Sequence, residues 1–193
     1  MPNIMIHEEV GYFISKKINN DSYNYFLGLL APDAPNTYGF GKKEDRWLAH
    51  QRKNDYNEWR NSLKEFYEKE KNRYDKDFLL GYCVHILTDI IYDEFLYLKV
   101  REEILKDNIT LEESHEVMRK DMDKYYFDEI EIIKDILKRE KITYEINGIS
   151  KELMYEWKTK TLNELTNENK SIYMTNEIIN TLNELVYKEL SSL

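Results

Sequence analysis

The chain is short of the residues that interrupt or cross-link a fold. Its 193 residues include only 1 cysteine, 3 prolines, 6 glycines and 4 histidines. The lone cysteine, Cys83, excludes an internal disulfide and reads as a small core residue in an apolar run. No apolar run reaches the ~20 residues that a membrane-crossing helix needs. The start, Met1 to His7, lacks the basic region and long apolar segment of a leader. These absences predict a cytoplasmic protein with no transmembrane segment. Positive charge is also scarce: the formal net charge of −9 excludes the broad basic face of an extended nucleic-acid surface. A small phosphate substrate stays compatible, because a metal can supply local positive charge. Nothing in the sequence sets the oligomeric state.

Two of the prolines, Pro32 and Pro35, and two glycines, Gly39 and Gly41, share one stretch. The rest of the chain has few helix breakers. The length suits one domain with a full core. The expectation is all-α: a single domain over residues 1–193, five to eight helices in a bundle around a buried central helix.

That central helix is predicted from about Asp75 to Lys106. Leu79, Leu80, Val84, Ile86, Leu87, Ile90, Ile91, Phe95 and Leu96 cover nearly every direction around it, the pattern of a buried helix. His85, Asp89 and Asp93 interrupt the apolar surface at four-residue steps, stacked on one side with a drift of roughly 40° per step. Such groups in an apolar helix are costly unless paired or bound to a metal. Gly81, one turn before His85, lets something approach closely there.

Elsewhere, Val10, Ile14 and Ile18 give an inward stripe that includes His7. Asp21 or Ser22 can cap a short helix through Leu30. Ala31 to Lys43 reads as loop, with Asp33 held close to the apolar Leu27–Leu30 segment and His50 following Trp47-Leu48-Ala49. Asn54 or Asp55 opens a helix with Trp59, Leu63, Phe66 and Tyr67 as its stripe. Thr110 to Glu113 is a capping box that opens a helix to about Arg139, with Leu111, His115, Met118 and Met122 on its apolar face. Ile142–Ile146 alternates weakly, Asn147-Gly148 is a turn, and two more helices span Ser150 to about Leu165 and Ser171 to about Leu190. Tyr23, Tyr25, Tyr82, Tyr92 and Tyr97 read as core or surface filler.

All four histidines thus fall on or beside apolar segments, with Asp33, Asp89 and Asp93 near them. Each alone has a plain reading: a hydrogen-bonded core histidine, a buried His85–Asp89 pair, a turn aspartate. Together they form a His and carboxylate set without thiolate, which suits Zn²⁺, with Mn²⁺ or Fe²⁺ as alternatives.

Pro2-Asn3-Ile4-Met5-Ile6-His7, then Tyr25 to Asp33, then His50, then Leu80 to Asp89 stand in the order of a known pattern. On these pieces the first half of the chain resembles the zinc-dependent phospholipase C family, whose fold is shared by the single-strand-specific zinc nucleases. The resemblance implies an all-α fold and a multinuclear zinc site. It implies that Asp33, His50, His85 and Asp89 bind one ion, and that His7 binds a second, with Asp89 bridging. In secreted members the amino terminus also binds the second ion. For a third ion the family has a histidine where this chain has Phe95, and a glutamate where it has Arg119, four residues after His115. Asp93, Glu94 or Glu116 are the candidate substitutes, and two ions are expected rather than three.

The resemblance also implies phosphodiester hydrolysis by a hydroxide shared between two ions, with Asp33 orienting or deprotonating the nucleophile. Tyr38, Phe40, Lys42 and Arg46 would line the mouth. The substrate would be a small phosphodiester or a phospholipid. Two rivals stand beside this reading. An HD-type metal phosphohydrolase needs an adjacent His-Asp pair, and none of the four histidines is followed by Asp. A non-enzymatic helical protein could keep a structural or degenerate metal site.

Overall fold

Seven polar side chains start helices among the described residues. Asn3, Ser22, Asp55, Asp75, Thr110, Ser150 and Thr175 each accept a backbone N–H from the first turn that follows, satisfying donors that the helix itself leaves over. The structure is a computed structural model and describes residues 2–141, 143–164 and 170–193. In chain order the helices are α1 (Ile4–Ile18), α2 (Tyr23–Leu30), α3 (Lys43–Ala49), α4 (Tyr56–Glu70), α5 (Lys76–Ile91), α6 (Tyr97–Lys106), α7 (Leu111–Met122), α8 (Ile130–Lys138), α9 (Lys151–Glu164) and α10 (Asn176–Leu190). A 3₁₀ turn (Ala31–Asn36) follows α2, and a π turn (Tyr92–Leu96) joins α5 to α6. Among the described residues there is no sheet, only an isolated antiparallel bridge between Ile146 and Ile149 across the Asn147-Gly148 turn. The fold is all-α.

Helix α5 is the axis. Thirteen of its 16 residues are buried, so it is covered on all sides. α1, α2, α4 and α10 pack around it. The closest crossing is with α2, and two glycines make it possible. A Cβ on Gly81 would lie 1.9 Å from the Tyr25 carbonyl oxygen, and one on Gly28 would lie 2.0 Å from the Phe78 carbonyl oxygen. The two backbones therefore touch, which a side chain at either position would prevent.

Four boundaries differ from the sequence expectations, which also gave too few helices. The predicted loop is not all loop: Pro32, whose fixed φ suits a first helical turn, starts the 3₁₀ segment, and Glu44 and Asp45 supply the acidic first turn of α3. The central helix changes to π geometry at Tyr92. The helix opened by Thr110 ends at Met122, because the connecting turn itself buries Tyr125 and Phe127 and so prolongs the apolar pattern. The final helix starts at Asn176 and not Ser171. Before it, the buried Asp121 carboxylate accepts from the Ser171 hydroxyl and from the backbone N–H groups of Ile172, Tyr173 and Met174. Of two further expectations, Ile142 at the start of the weak alternation and Leu165 at the end of α9 lie outside the described residues. Among the described residues no helix is long and apolar enough to cross a membrane.

Candidate metal centre

Each candidate side chain is delivered by a different local device. His85 sits in the middle of α5, and its Nδ1 is 2.7 Å from the Leu29 carbonyl oxygen. That carbonyl is near because α2 and α5 touch at Gly28 and Gly81. His50 ends α3. Gln51 follows in the left-handed conformation (φ 52°), and the Gln51 and Arg52 N–H groups close back on Leu48 and Trp47. This hook turns the His50 ring inward, with Nδ1 2.8 Å from the Arg46 carbonyl oxygen. The Trp59 indole N–H donates to the His50 carbonyl at 2.8 Å, holding the hook against α4. Asp33 lies in the 3₁₀ turn, with Oδ1 accepting from Asn36 Nδ2 at 3.2 Å. Asp89 is one turn beyond His85 on α5, and His7 comes from α1.

The carbonyl contacts decide the tautomers. A carbonyl only accepts, so Nδ1 carries the proton on both His50 and His85, and Nε2 presents a lone pair. The two Nε2 atoms are 3.3 Å apart. Two lone pairs at that distance need a proton or a cation between them. Carboxylates complete the set. His50 Nε2 is 3.5 Å from Asp33 Oδ1 and 3.5 Å from Asp89 Oδ2. His85 Nε2 is 4.0 Å from Asp33 Oδ2 and 3.9 Å from Asp89 Oδ2. A tetrahedral ion with bonds of about 2.0–2.1 Å has ligand-to-ligand edges of about 3.4 Å. His50 Nε2, His85 Nε2 and Asp89 Oδ2, at 3.3, 3.5 and 3.9 Å from one another, therefore bound a space close to zinc size, and Asp33 flanks it.

His7 stands behind them. Its ring stacks parallel on His85 at 3.7 Å, and its Nε2 is 3.4 Å from Asp89 Oδ1. Among the described residues, both His7 nitrogens and both Asp89 oxygens are buried without a hydrogen-bond partner. Buried polar atoms are rarely left so. Their chemistry and position fit a cation shared through Asp89. The donors that fall within 4.8 Å of one another form two sets, His7 with Asp33 and His85, and His50 with His85 and Asp89.

The electrostatics agree. Burial pushes both aspartates up, but the close approach and charge of the neighbouring histidines outweigh it. Asp33 falls well below the usual carboxylate range, and Asp89 falls to about 2. Burial, with His7 alongside, lowers His85 to about 3 against the pull of the aspartates. Burial also opposes charge on His50, yet Asp33 and Asp89 raise it. Two carboxylates thus stay ionised around a space that demands positive charge. Glu8, beside His7, differs: burial alone drives its carboxyl well above the usual range, so it is a neutral acid.

Five of the seven candidate residues converge: His7, Asp33, His50, His85 and Asp89. Asp93 and His115 do not join them. The π turn begins at Tyr92, so the four-residue register counted from His85 and Asp89 stops setting direction there, and Asp93 pairs with Arg52 Nη1 at 2.7 Å. His115 is exposed, with the Tyr97 hydroxyl 2.9 Å from its Nε2. The buried face of α7 is Ser114, Met118, Asp121 and Met122, and Leu111 is 60% exposed, so the apolar stripe lies a fraction of a turn away from His115. The other candidate substitutes are also engaged elsewhere: Glu94 pairs with Arg60, and Glu116 with Arg119.

A cleft of about 950 Å³ opens onto Asp33 and His50. His7, His85 and Asp89 lie behind it with no exposed surface. Phe40 and Arg46 line its mouth as the sequence predicts, whereas Tyr38 and Lys42 do not. Sequence reasoning missed Trp157 and Lys160, which reach the cleft from α9. It also missed the carbonyls of Leu29 and Arg46, which any residue type could supply, and Asn36, whose distance of three residues from Asp33 is the only signal.

Comparison with protein-family models, with curated proteins and with solved structures finds no match for this chain.

Proposed function

We propose that this chain is a metal-dependent hydrolase of phosphodiesters, in line with its resemblance to the zinc-dependent phospholipase C family. One observation carries the reading. Side chains from four separate segments aim lone pairs and orphaned carboxylate oxygens at one buried space, and that space forms the floor of a cleft. Asp33, His50, His85 and Asp89 would hold one ion, and His7 with the second oxygen of Asp89 would hold another. Zinc is the first choice, with manganese or iron as alternatives. When bound, such ions supply positive charge for phosphoryl oxygens and acidify water towards neutrality.

The residues of the chain do the rest. His85 and Asp89 are sealed from water and keep the site rigid. Asp33 is the site carboxylate that reaches the cleft, where it can take a proton from an attacking water. The Asn36 amide on its Oδ1 limits how it can turn. The substrate would be a small phosphodiester or a phospholipid headgroup.

A second reading has its own observation. The proposed set of Asp33, His50, His85 and Asp89 would give one ion four protein donors, the closed pattern of structural zinc sites. An ion there would clip α2, α3 and α5 together without chemistry. Metal analysis of the purified protein, run beside hydrolysis of bis(p-nitrophenyl) phosphate with added Zn²⁺ or Mn²⁺, separates the two. Two ions per chain with chelator-sensitive turnover supports the hydrolase. Metal without turnover supports the clip. Protein that takes up no metal from excess zinc overturns both.

A further inference from the structure

Three arginines line the cleft, and they are not equivalent. Arg52 is neutralised by Asp93 at 2.7 Å. Arg119 is neutralised by Glu116 at 3.0 Å and Asp123 at 3.1 Å. Arg46 has no carboxylate within ion-pair distance among the described residues. Its Nε donates to the Gly41 carbonyl at 3.1 Å, and its guanidinium lies over the Phe40 ring at 4.0 Å. Among the described residues neither Nη group has a hydrogen-bond partner. Arg46 is half-buried, so its charge is partly removed from water without a counter-ion.

The surroundings hold it in that condition. Phe40 is 84% exposed, which no folding requirement explains, and its ring supports the guanidinium. Gly41 is pressed against Pro35: a Cβ there would lie 2.3 Å from the Pro35 carbonyl oxygen. The Gly41 N–H donates to Asn36 Oδ1, and Asn36 in turn donates to Asp33. The carbonyl of Arg46 itself receives His50 Nδ1–H. The unpaired cation is therefore tied by short links to the two metal-centre residues that open on the cleft.

We infer that Arg46 is the specificity-determining anion grip of this cleft, the side chain that takes the non-bridging oxygens of a phosphate group seated beside Asp33 and His50. A guanidinium with free paired N–H donors matches two phosphoryl oxygens. The inference rests on the phosphodiester reading for its substrate, while anion binding can be measured without turnover.

Because the bond to His50 uses the Arg46 backbone, side-chain variants leave it in place. Zinc-treated wild type, Arg46→Met and Arg46→Lys are compared by calorimetric titration with inorganic phosphate and by kinetics on bis(p-nitrophenyl) phosphate. Arg46→Met should weaken phosphate binding about tenfold or more and raise KM more than it lowers kcat, with metal content unchanged. Arg46→Lys should recover part of the affinity, which a purely structural role would not predict. Phosphate binding by Arg46→Met within about twofold of wild type overturns the inference, as does loss of metal from that variant or a wild type that does not bind phosphate. If wild type binds phosphate through Arg46 but hydrolyses no diester, the grip stands and the hydrolase reading falls. If Arg46→Met hydrolyses with an unchanged KM, the grip falls and the hydrolase reading stands.

Discussion

The cleft has two walls built on opposite principles. On the wall formed by α7 and the π turn, both arginines and the histidine are answered: Arg52 by Asp93, Arg119 by Glu116 and Asp123, His115 by the Tyr97 hydroxyl. On the wall formed by α1, α3, α5 and the 3₁₀ turn, lone pairs face each other and Asp89 has no donor on either oxygen. The unanswered wall is also the more deeply buried, where unmade bonds cost most. A surface that satisfies itself is complete as folded. A buried one that does not has donors left over for the ions proposed above.

The strongest way to break this contrast is to move the wall. Gly81→Ala places a Cβ against the Tyr25 carbonyl, a backbone atom that cannot rotate aside. α2 would have to withdraw and take the Leu29 carbonyl from His85. The expected cost is about 3 kcal/mol or more, with loss of metal. Thermal denaturation and metal content decide it, and a variant of near wild-type stability that is fully metal-loaded would show that the crossing is looser than it looks.

Next in size is the loss of the ion. Chelator should lower the melting temperature of wild type, since a ligand present at about 1,000 times its Kd adds about 4 kcal/mol of stability. Asp89→Asn keeps the shape but removes the charge of the carboxylate proposed to be shared by the two ions. It should abolish binding of the second ion and lower hydrolysis by several orders of magnitude, and chelator should then shift its melting temperature less than that of wild type. An equal shift in both proteins would separate stability from this constellation.

Acid sharpens the comparison in metal-free protein. His85, lowered to about 3 by burial, is neutral when folded and takes a proton when unfolded below its ordinary value. Unfolding therefore gains protons, and stability falls as pH drops from about 6.5 towards 3, by at most about 1.4 kcal/mol per pH unit. Asp33 and Asp89, both held low, act in the same direction: their contribution is present above the ordinary carboxylate value and is lost further into acid. His50, raised, works the other way, and its contribution disappears as pH climbs above 6.5. Denaturant melts across pH 4–8 should slope downward to the acid side, and His85→Gln should flatten that slope. A flat wild-type profile would mean that His85 is not sealed.

How much of this was legible in the chain depended on period. The all-round apolar run of α5, its interruption at His85 and Asp89, and the capping box at Thr110 are local patterns, and the fold carries them unchanged. The convergence of Asp33, His50 and His7 was legible only through the order of short motifs, because no local rule brings a 3₁₀ turn and two other helices to one point. What failed was phase. The π turn at Tyr92 leaves no mark in the hydrophobic pattern, and it redirects Asp93. A stripe drawn through Leu111 and Met118 is as good on paper as one through Ser114 and Met118, and only packing chose the second, which leaves His115 outside. Asp121 carries no mark of its buried role in the sequence, because its partners, backbone N–H groups around Tyr173, have no signature there.

The smallest expected effects lie on the satisfied wall, and they test whether it is complete. His115→Gln should leave metal content unchanged, because the exposed ring bonds and packs with Tyr97, away from the candidate centre, and stability should move by about 0.5 kcal/mol or less. Asp93→Asn removes one partner of a partly exposed ion pair, which costs about 1 kcal/mol or less. It should also leave Arg52 as a second cation in the cleft without its carboxylate, so that wall would now resemble the one that holds Arg46. Inorganic phosphate should then bind more tightly to Asp93→Asn than to wild type, by about twofold to tenfold, with no change in metal. Tighter phosphate binding would show that ion pairing, not position, keeps Arg52 idle. A fall in bound metal in either variant would return Asp93 or His115 to the set of ligands and with it the third ion that the resemblance implies.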